Sequence, residues 1–517
     1  MKKNLIGFTL VDMFVEPEKT MKAIRLGLLI LVALLEGSFS SYGKPCNAPP
    51  IVVESAKKAS YEGLWIRWTD HACQPRAAFL VHNDRKDPRG LFGGYLREYQ
   101  YEFQGKTRVL NTTHYHYPGF GMTINHYQNP DGTGGSSASS SLYFRGQWQK
   151  YLQGPHHYIH QFKWLIRIGR VMVPTTVHWL FRTGVSHPIY SISYDMRQIK
   201  DGDLIADTRS PYGNINWDGD GKSIVDGVEW GDRYRFKTTS TPLTMASSWD
   251  YTEKNKVPFV RVYSRQSNAM QASIQTQFWS EQDAGGYWFG RNWGRTSKNR
   301  ECEVLHKIRR TCRKDADPHT MPEVWNWAYQ TINYQFQTDP HSKRFAWGSN
   351  YGALGLSKYT DMGGGERSGW PEQSYAVFVV FSSFSSGGFE SLKSFIESKD
   401  QVEIKVAGAE LVEEGFDGVG RATRVSYRPA GYDHRYGSWR LKAKSEAMKL
   451  DVSGLTTDRG ITLVIEDWPT ADYQLKLSPE TPAYSSYQHQ SKELWITVPA
   501  GRGKRSIELY PSSKRMP

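Results

Sequence analysis

The sequence predicts a mainly β protein, with a large antiparallel β-sandwich of the supersandwich type followed by a smaller C-terminal β-sandwich. Two observations support this fold class. Short segments alternate polar and apolar residues with a period of two, and Gly, Pro, Asn and Asp separate them. Helical periodicity is scarce, and no internal repeat of about 20–50 residues indicates a propeller or a solenoid.

The segment HPIYSISYDM, residues 187–196, shows the alternation most clearly. As a strand it places Ile189, Ser191, Ser193 and Asp195 on one face and Tyr190, Ile192, Tyr194 and Met196 on the other. The other predicted strands are GLWIRWTD (63–70), YLREYQYEF (95–103), VPFVRVYSRQ (257–266), SYAVFVVFSSF (374–384), ITLVIEDW (461–468), ELWITVPA (493–500) and SIELYP (506–511). Many of these segments are rich in β-branched and aromatic residues, which favour strands.

Two short helices are predicted, PEVWNWAYQTINYQF (322–336) and GGFESLKSFIESKD (387–400). The second helix serves as a connector over 386–400 between a large domain, 44–385, and a smaller accessory domain, 401–517. This order of a large and a small β-sandwich resembles secreted polysaccharide-active proteins with a supersandwich body. The resemblance is one of architecture, and it implies carbohydrate chemistry without assigning any residue.

Residues 1–43 are predicted to be a secretory signal peptide, with Met21 as an alternative start. Lys22 and Arg25 precede the apolar run LGLLILVALL (26–35), and the small, polar stretch EGSFSSYG follows it. The run is too short for a stable membrane span. We therefore expect a secreted or periplasmic protein.

The chain has 4 cysteines. In an oxidising compartment the pairs close in sequence, Cys46–Cys73 and Cys302–Cys312, are preferred over the two other connectivities. No cysteine spacing typical of a structural zinc site occurs.

The net charge of +13 and the aromatic content of 14% both suggest an acidic, ring-bearing ligand. For an exported protein, an anionic polysaccharide fits better than nucleic acid, because Arg and Lys bind carboxylate or sulfate while flat rings stack on sugars. The alternative is that the basic charge only keeps the protein soluble.

The stretch NTTHYHYPGFGMTINHY, residues 111–127, carries the candidate catalytic residues. Two strands broken by Pro118–Gly119 would form a hairpin. Its faces would bring together the candidate catalytic residues His114, His116, His126 and Tyr127 and the candidate substrate-binding residue Asn125.

Two other segments supply candidate ligands or carboxylates. In HHYIHQFKW, His156 and His160 are weak candidates for a zinc or copper site, since no HExxH pattern accompanies them. The segment NINWDGDGKSIVDGVEWGD (214–232) begins like a calcium loop, but Val225 replaces the bidentate Glu. Its Asp218, Asp220 and Glu229 are the alternative acid and base of a glycosidase. No cofactor is assigned, and calcium and zinc stay the two candidates.

Aromatic and basic residues alternate in GGYWFGRNWGRTSKNR (285–300), as a cleft for an anionic polymer requires. A Gly-rich segment at 346–370 has the composition of a ligand-facing loop. The candidate binding residues in these two segments are Trp288, Arg291, Trp293, Arg295, Asn350, Tyr351 and Arg367.

Three functions follow from these patterns. A polysaccharide lyase would cleave a uronate-containing polymer by β-elimination, with His and Tyr as base and acid. The alternatives are a glycoside hydrolase that uses a carboxylate pair and a non-catalytic glycan-binding protein. No GxSxG motif, P-loop or dinucleotide-binding glycine motif occurs. The sequence favours elimination slightly over hydrolysis.

Overall fold

The computed structural model describes a chain built from β-strands. The described residues are 46–58, 61–82, 93–111, 120–128, 134–138, 146–168, 171–198, 207–217, 227–231, 236–238, 259–265, 267–276, 334–338, 345–349, 372–384, 402–412, 420–421, 424–425, 430–455, 460–501 and 503–513. Every element assigned within these ranges is a strand, and the sheets are antiparallel apart from the pairing of residues 438–442 with 462–466, so the predicted fold class is confirmed. The predicted signal peptide lies outside them.

Sheet I has ten strands and forms the outer layer of the first sandwich. Its strands are β1 (Val52–Lys58), β2 (Tyr61–Thr69), β3 (Pro75–Val81), β4 (Tyr95–Phe103), β5 (Lys106–Asn111), β6 (Phe120–Gln128), β7 (Gly134–Ala138), β12 (Asp207–Trp217), β17 (Tyr334–Thr338) and β18 (Phe345–Ser349). The main path runs β1-β2-β3-β4-β5-β12-β18-β17, and β6 pairs with β12, β4 and β7.

Sheet II has nine strands and faces sheet I. Its strands are β8 (Gln147–Gln153), β9 (His157–Ile168), β10 (Val171–Arg182), β11 (Ile189–Asp195), β13 (Gly227–Gly231), β14 (Phe236–Thr238), β15 (Phe259–Ser264), β16 (Ala269–Gln275) and β19 (Glu372–Ser382). They follow the order β14-β13-β15-β16-β19-β11-β10-β9-β8.

Large aromatic side chains fill the space between sheets I and II. Trp68 of sheet I lies 5.2 Å from Phe181 of sheet II, and Tyr99 lies 4.8 Å from Phe381, measured between ring centroids. Each of these rings is buried. Aromatic residues bury large areas, so this layer contributes much of the apolar stabilisation of the first sandwich.

Two further sheets and a small hairpin come from the C-terminal part of the chain. Sheet III contains β21 (Ala409–Leu411), β24 (Tyr432–Asp433), β25 (Ser438–Ala443), β27 (Ile461–Glu466), β29 (Tyr484–Gln488) and β30 (Glu493–Val498). Sheet IV contains β20 (Glu403–Ala407), β26 (Met448–Leu455), β28 (Tyr473–Ser478) and β31 (Gly503–Pro511). The strands β22 (Gly420–Arg421) and β23 (Arg424–Val425) form the hairpin.

Sheet III is covered on both faces. Leu463 and Ile496 belong to the core shared with sheet IV. The neighbouring residues Val464 and Trp495 point the other way and belong to a core shared with sheet II. The described part of the chain therefore stacks four β-layers in the order I, II, III and IV, and residues Cys46–Pro517 form one compact unit.

Buried polar groups connect sheets II and III. His157 lies with its Nδ1 3.0 Å from Ser486 Oγ and its Nε2 2.9 Å from Thr497 Oγ1. Arg182 donates to Thr462 Oγ1 at 2.7 Å. Because buried polar atoms cost free energy when they lose a partner, these bonds fix how the two layers meet.

The structure tests several of the sequence predictions. The eight segments given above as strands each contain one, and on β11 the face with Tyr190, Ile192 and Tyr194 is fully buried. The first strand of the predicted hairpin, before Pro118–Gly119, lies outside the described residues. The predicted helix over 322–336 is wrong at its end, because Tyr334–Phe336 pair with β18 as part of β17. Residues 322–333, the connector helix and the boundary residues 385–401 lie outside the described residues, so those predictions stay open.

Cys46 and Cys73 form the predicted disulfide, with their Cα atoms 5.6 Å apart. Cys302 and Cys312 lie outside the described residues. Tyr484 of sheet III donates to the backbone oxygen of Cys46 at 2.5 Å, so the bridged segment also contacts the second sandwich.

Candidate functional site

Most of the residues predicted for the site lie outside the part of the chain that the structure describes. These are His114, His116, Asp218, Asp220, Trp288, Arg291, Trp293, Arg295, Asn350, Tyr351 and Arg367. Their roles therefore stay predictions.

For four other predicted residues the structure defines the position in a sheet. Asn125, His126 and Tyr127 lie in β6, where β12 pairs with one edge of the strand and β7 with the other. Glu229 lies in β13, opposite Thr238 on one side and Arg261 on the other. Since β6 belongs to sheet I and β13 to sheet II, the predicted imidazole group and this carboxylate belong to different layers.

The two weak metal candidates take part in separate contacts. His156 Nδ1 lies 3.2 Å from Thr183 Oγ1, and His160 Nδ1 lies 3.3 Å from the hydroxyl of Tyr158. Within the described ranges, no group of three or more His, Cys, Asp or Glu side chains could hold a metal ion. The start of the calcium-like loop, Asn214 to Trp217, belongs to strand β12.

A different cluster of polar and aromatic side chains lies between sheets II and III, next to the exposed strand β8. We call it the junction site. It consists of Gln149, Tyr151, Gln161, His178 and Tyr436. The first four come from β8, β9 and β10 of sheet II, and Tyr436 follows β24 of sheet III.

Local features of the backbone position these groups. The ladder between β8 and β9 shifts register between Lys150 and Leu152, so Tyr151 is a bulged residue and its ring reaches His178 at 5.1 Å. The turn after β24 places Tyr436 beside the same histidine. Gly437 closes this turn with φ 55, a left-handed conformation that favours glycine.

Hydrogen bonds connect four of the five residues of the junction site in a chain, and the fifth, Tyr151, contacts His178 through its ring. Gln149 Nε2 donates to Gln161 Oε1, and Gln161 Nε2 lies 2.7 Å from His178 Nε2. The hydroxyl of Tyr436 lies 3.1 Å from His178 Nδ1. An amide NH2 group can only donate, so His178 accepts at Nε2 and, when neutral, carries its proton at Nδ1 toward Tyr436.

Burial controls the protonation states of this pair. It lowers the pKa of His178 to about 3, with Arg435 and Lys163 adding positive charge nearby. Burial also raises the pKa of Tyr436 well above its usual value. The imidazole is therefore neutral and the phenol protonated at neutral pH.

A charged cluster borders the junction site on the sheet III side. Burial alone would raise the pKa of Asp433, but Arg435 and Arg440 overcome it and lower the pKa to about 2. Arg435 Nη2 lies 2.9 Å from Asp433 Oδ2. Because Asp433 stays ionised and paired, it cannot supply a proton as a general acid near neutral pH.

The junction site is open to solvent on one side. Tyr151 is 36% exposed, and Gln149 and Lys163 are also exposed, whereas Tyr436 is only 5% exposed. The exposed ring of Tyr151 can stack against a flat ligand. The two ring nitrogens of His178 face Gln161 and Tyr436.

Sequence patterns did not reveal the junction site. His178 is 258 residues from Tyr436, and neither occurs in a motif. One signal was present in the sequence: GQWQKYLQ (146–153) places two aromatic residues among polar ones, and such a composition suits a solvent-facing strand.

The fold and the site together define a layered, mainly β protein with a histidine–tyrosine cluster that is open to solvent at Tyr151. No protein-family model matches the chain, and no curated protein matches it.

A search of solved structures finds a weak similarity to an alpha-mannosidase from Enterococcus faecalis V583, with a TM-score of 0.33 and 8% sequence identity. The match covers 84% of this chain and 41% of that one, so the chain spans well under half of the mannosidase chain. Similarity at this level defines neither a family nor an activity.

A membrane-spanning helix is not found among the residues that the structure describes.

Proposed function

We propose that this protein is a secreted polysaccharide-active enzyme that cleaves an anionic, uronate-containing polymer by β-elimination at the junction site. The observation that carries the proposal is the contact between neutral His178 and protonated Tyr436, beside the exposed ring of Tyr151. Lys163 and Arg435 supply positive charge close to this pair. The high content of Arg, Lys and aromatic residues in the whole chain supports an anionic sugar as the ligand.

Elimination begins with removal of the proton next to the uronate carboxylate. The base must be unprotonated at working pH, and burial keeps His178 neutral. A base with a pKa of about 3 is a weak proton acceptor, so the proposal requires the bound uronate carboxylate to raise the pKa of His178 toward neutrality. Its Nε2 is covered by Gln161, which is itself held by exposed Gln149. Binding of a sugar at Gln149 would draw Gln161 away and free the imidazole lone pair.

The second half of the reaction needs an acid for the leaving oxygen. Tyr436 is protonated, and its hydroxyl is hydrogen-bonded to His178. Lys163 and Arg435 would stabilise the negative charge that develops on the carboxylate in the transition state. At this site hydrolysis is less well supported, because the carboxylate beside it, Asp433, is held ionised by two arginines.

The test follows absorbance near 232 nm, roughly where a 4,5-unsaturated uronate absorbs, together with a reducing-end assay. The purified full-length chain is incubated with uronate-containing and neutral polysaccharides. Elimination predicts a rise in absorbance on an acidic glycan. Tyr436→Phe keeps the ring and removes the hydroxyl, and we expect kcat to fall by roughly 10²–10⁴-fold.

Tyr487→Phe is the matched control, because its hydroxyl bonds to the backbone of Trp468 within the second sandwich. It should leave turnover unchanged. New reducing ends without absorbance would refute elimination in favour of hydrolysis. Binding without any cleavage, lost in Tyr151→Ala, would refute an enzyme and indicate a glycan-binding protein.

Export is tested separately, by sequencing the N-terminus of the protein recovered outside the cytoplasm. Cleavage between residues 38 and 44 is expected. Retention of residues 1–43 on a cytoplasmic protein would overturn this part of the proposal.

A further inference from the structure

A second histidine cluster lies on the opposite face of strand β8, away from the junction site. His82 follows β3 of sheet I, and Trp148 and His160 belong to β8 and β9 of sheet II. The three rings therefore meet where the C-terminal end of β3 approaches β8 and β9 at the edge of sheet II. Neither the proposed reaction nor the core packing uses them as a group.

The ring geometry shows how the cluster is arranged. The centroids of His82 and His160 are 5.8 Å apart, and their planes differ by 9°. The indole of Trp148 lies 3.8 Å from His82 and 5.7 Å from His160, also nearly parallel to both. One indole therefore lies near both imidazoles, and the three ring planes are nearly parallel. Trp148 remains 38% exposed on its other side.

Both histidines have an unsatisfied buried nitrogen. Among the residues that the structure describes, the Nε2 atoms of His82 and His160 have no hydrogen-bond partner, although both atoms are buried. His160 is itself fully buried, and its Nδ1 lies near the hydroxyl of Tyr158. An unpaired buried polar atom in a native fold calls for an explanation, and an ion is one of the standard ones.

The hydrogen bond of His160 decides which of its ring nitrogens is open. Its Nδ1 lies 3.3 Å from the hydroxyl of Tyr158. When Nδ1 carries the proton toward that hydroxyl, Nε2 presents a lone pair to an ion.

We propose that His82 and His160 bind one soft monovalent cation of the copper(I) class through their Nε2 atoms, with the Trp148 indole as its cover. A metal–imidazole bond is about 2 Å long and each nitrogen is about 1 Å from its ring centre, so two imidazoles in line on one ion have centres roughly 6 Å apart. The observed 5.8 Å fits this span. The face of an indole attracts a cation.

The two ligands that the described residues supply suit copper(I) better than a divalent ion. Zinc in proteins almost always takes four ligands, or three and a water. The described residues supply two imidazoles here and no third His, Cys, Asp or Glu. Copper(I) accepts two nitrogen ligands in a line, and its single charge costs less to bury beneath an aromatic ring.

The test is an anaerobic titration of the full-length chain with copper(I), in competition with a chromophoric copper(I) chelator, repeated with silver(I) as a probe that does not change oxidation state. The wild-type chain should bind one equivalent of copper(I) more than the His82→Asn variant does. Trp148→Phe should weaken the affinity for that copper ion roughly tenfold. It should also reduce the quenching of tryptophan fluorescence that accompanies copper binding. His489→Asn, which alters an exposed histidine, is the matched control and should bind like the wild type.

Circular dichroism and thermal unfolding establish that each variant is folded. X-ray absorption on the copper-loaded wild type needs no variant, and two nitrogen donors are the expected result. Equal stoichiometry in wild type and His82→Asn would overturn the proposal. So would a copper environment with three or more ligands, or a site that takes zinc but not copper(I).

Discussion

Replacement of His157 by glutamine tests how the two sandwiches are held together. His157 is fully buried between sheets II and III, and both of its ring nitrogens lie within hydrogen-bond distance of hydroxyl groups of sheet III. Burial lowers the pKa of His157 well below its usual value, and the positive charge of Arg182 lowers it further. The ring is therefore neutral in the folded protein.

The effect of pH on stability follows from this difference. In the unfolded chain the histidine has a pKa of about 6.5, so it takes up a proton as the pH falls, whereas the folded form does not. Neutral His157 makes its full contribution to the free energy of unfolding above about pH 6.5, and this contribution is lost as the pH decreases. Between pH 7 and pH 5 the loss amounts to about 2 kcal/mol for this one group.

The His157→Gln variant lacks this contribution to the pH dependence of stability. At pH 7 the variant should be less stable than the wild type by about 1–3 kcal/mol, because a glutamine cannot reproduce both hydrogen bonds. On going to pH 5 it should lose about 2 kcal/mol less than the wild type does. Urea unfolding at pH 5, 6 and 7 measures both quantities from the midpoint and the slope.

Ser486→Ala separates the two effects. This control removes the hydroxyl at Nδ1 but keeps the histidine, so it should lower stability and preserve the pH dependence. Identical pH dependence in His157→Gln and the wild type would refute the reasoning.

Three further predictions concern stability. Replacing Cys46 and Cys73 by serine opens a loop with a sequence separation of 27 and should cost about 3.5 kcal/mol, measured by calorimetry under matched non-reducing conditions. Gly63→Ala should cost more than about 1 kcal/mol in urea unfolding, because the new Cβ would overlap the carbonyl oxygen of Leu80 on the paired strand; a neutral result would contradict the close approach. Arg440→Met should cost about 3 kcal/mol, because it leaves three carboxylates without their shared cation, and Arg440→Lys should recover part of this loss in the same assay.

The strands could be predicted from the sequence because most of them have one apolar face. In β11 the tyrosines and Ile192 alternate with small or polar residues, and this pattern survives in the structure. In β27 and β30 the alternation is weaker, since both faces are buried. A nearly continuous apolar run is the signal for such an inner strand, and it indicates a covering layer without naming it.

The end of the predicted helix shows why element boundaries are hard to predict. Tyr334 and Phe336 lie on either side of Gln335, a period-two spacing that suits the strand that pairs with β18, but a segment of three residues is too short for this spacing to mark the boundary. The junction site was not predictable for another reason. His178 and Tyr436 meet only because sheet III docks on sheet II, and contacts of such long sequence separation have no local signature.

The double covering of sheet III limits how far the C-terminal part of the chain can act as an interchangeable module. If it were expressed alone, Val464, Trp495 and Tyr436 would face water together with the hydroxyls that now bind His157. Such an apolar patch promotes self-association. Transplanting this sandwich to another protein would therefore require either a new partner sheet or a redesigned, polar surface on that face.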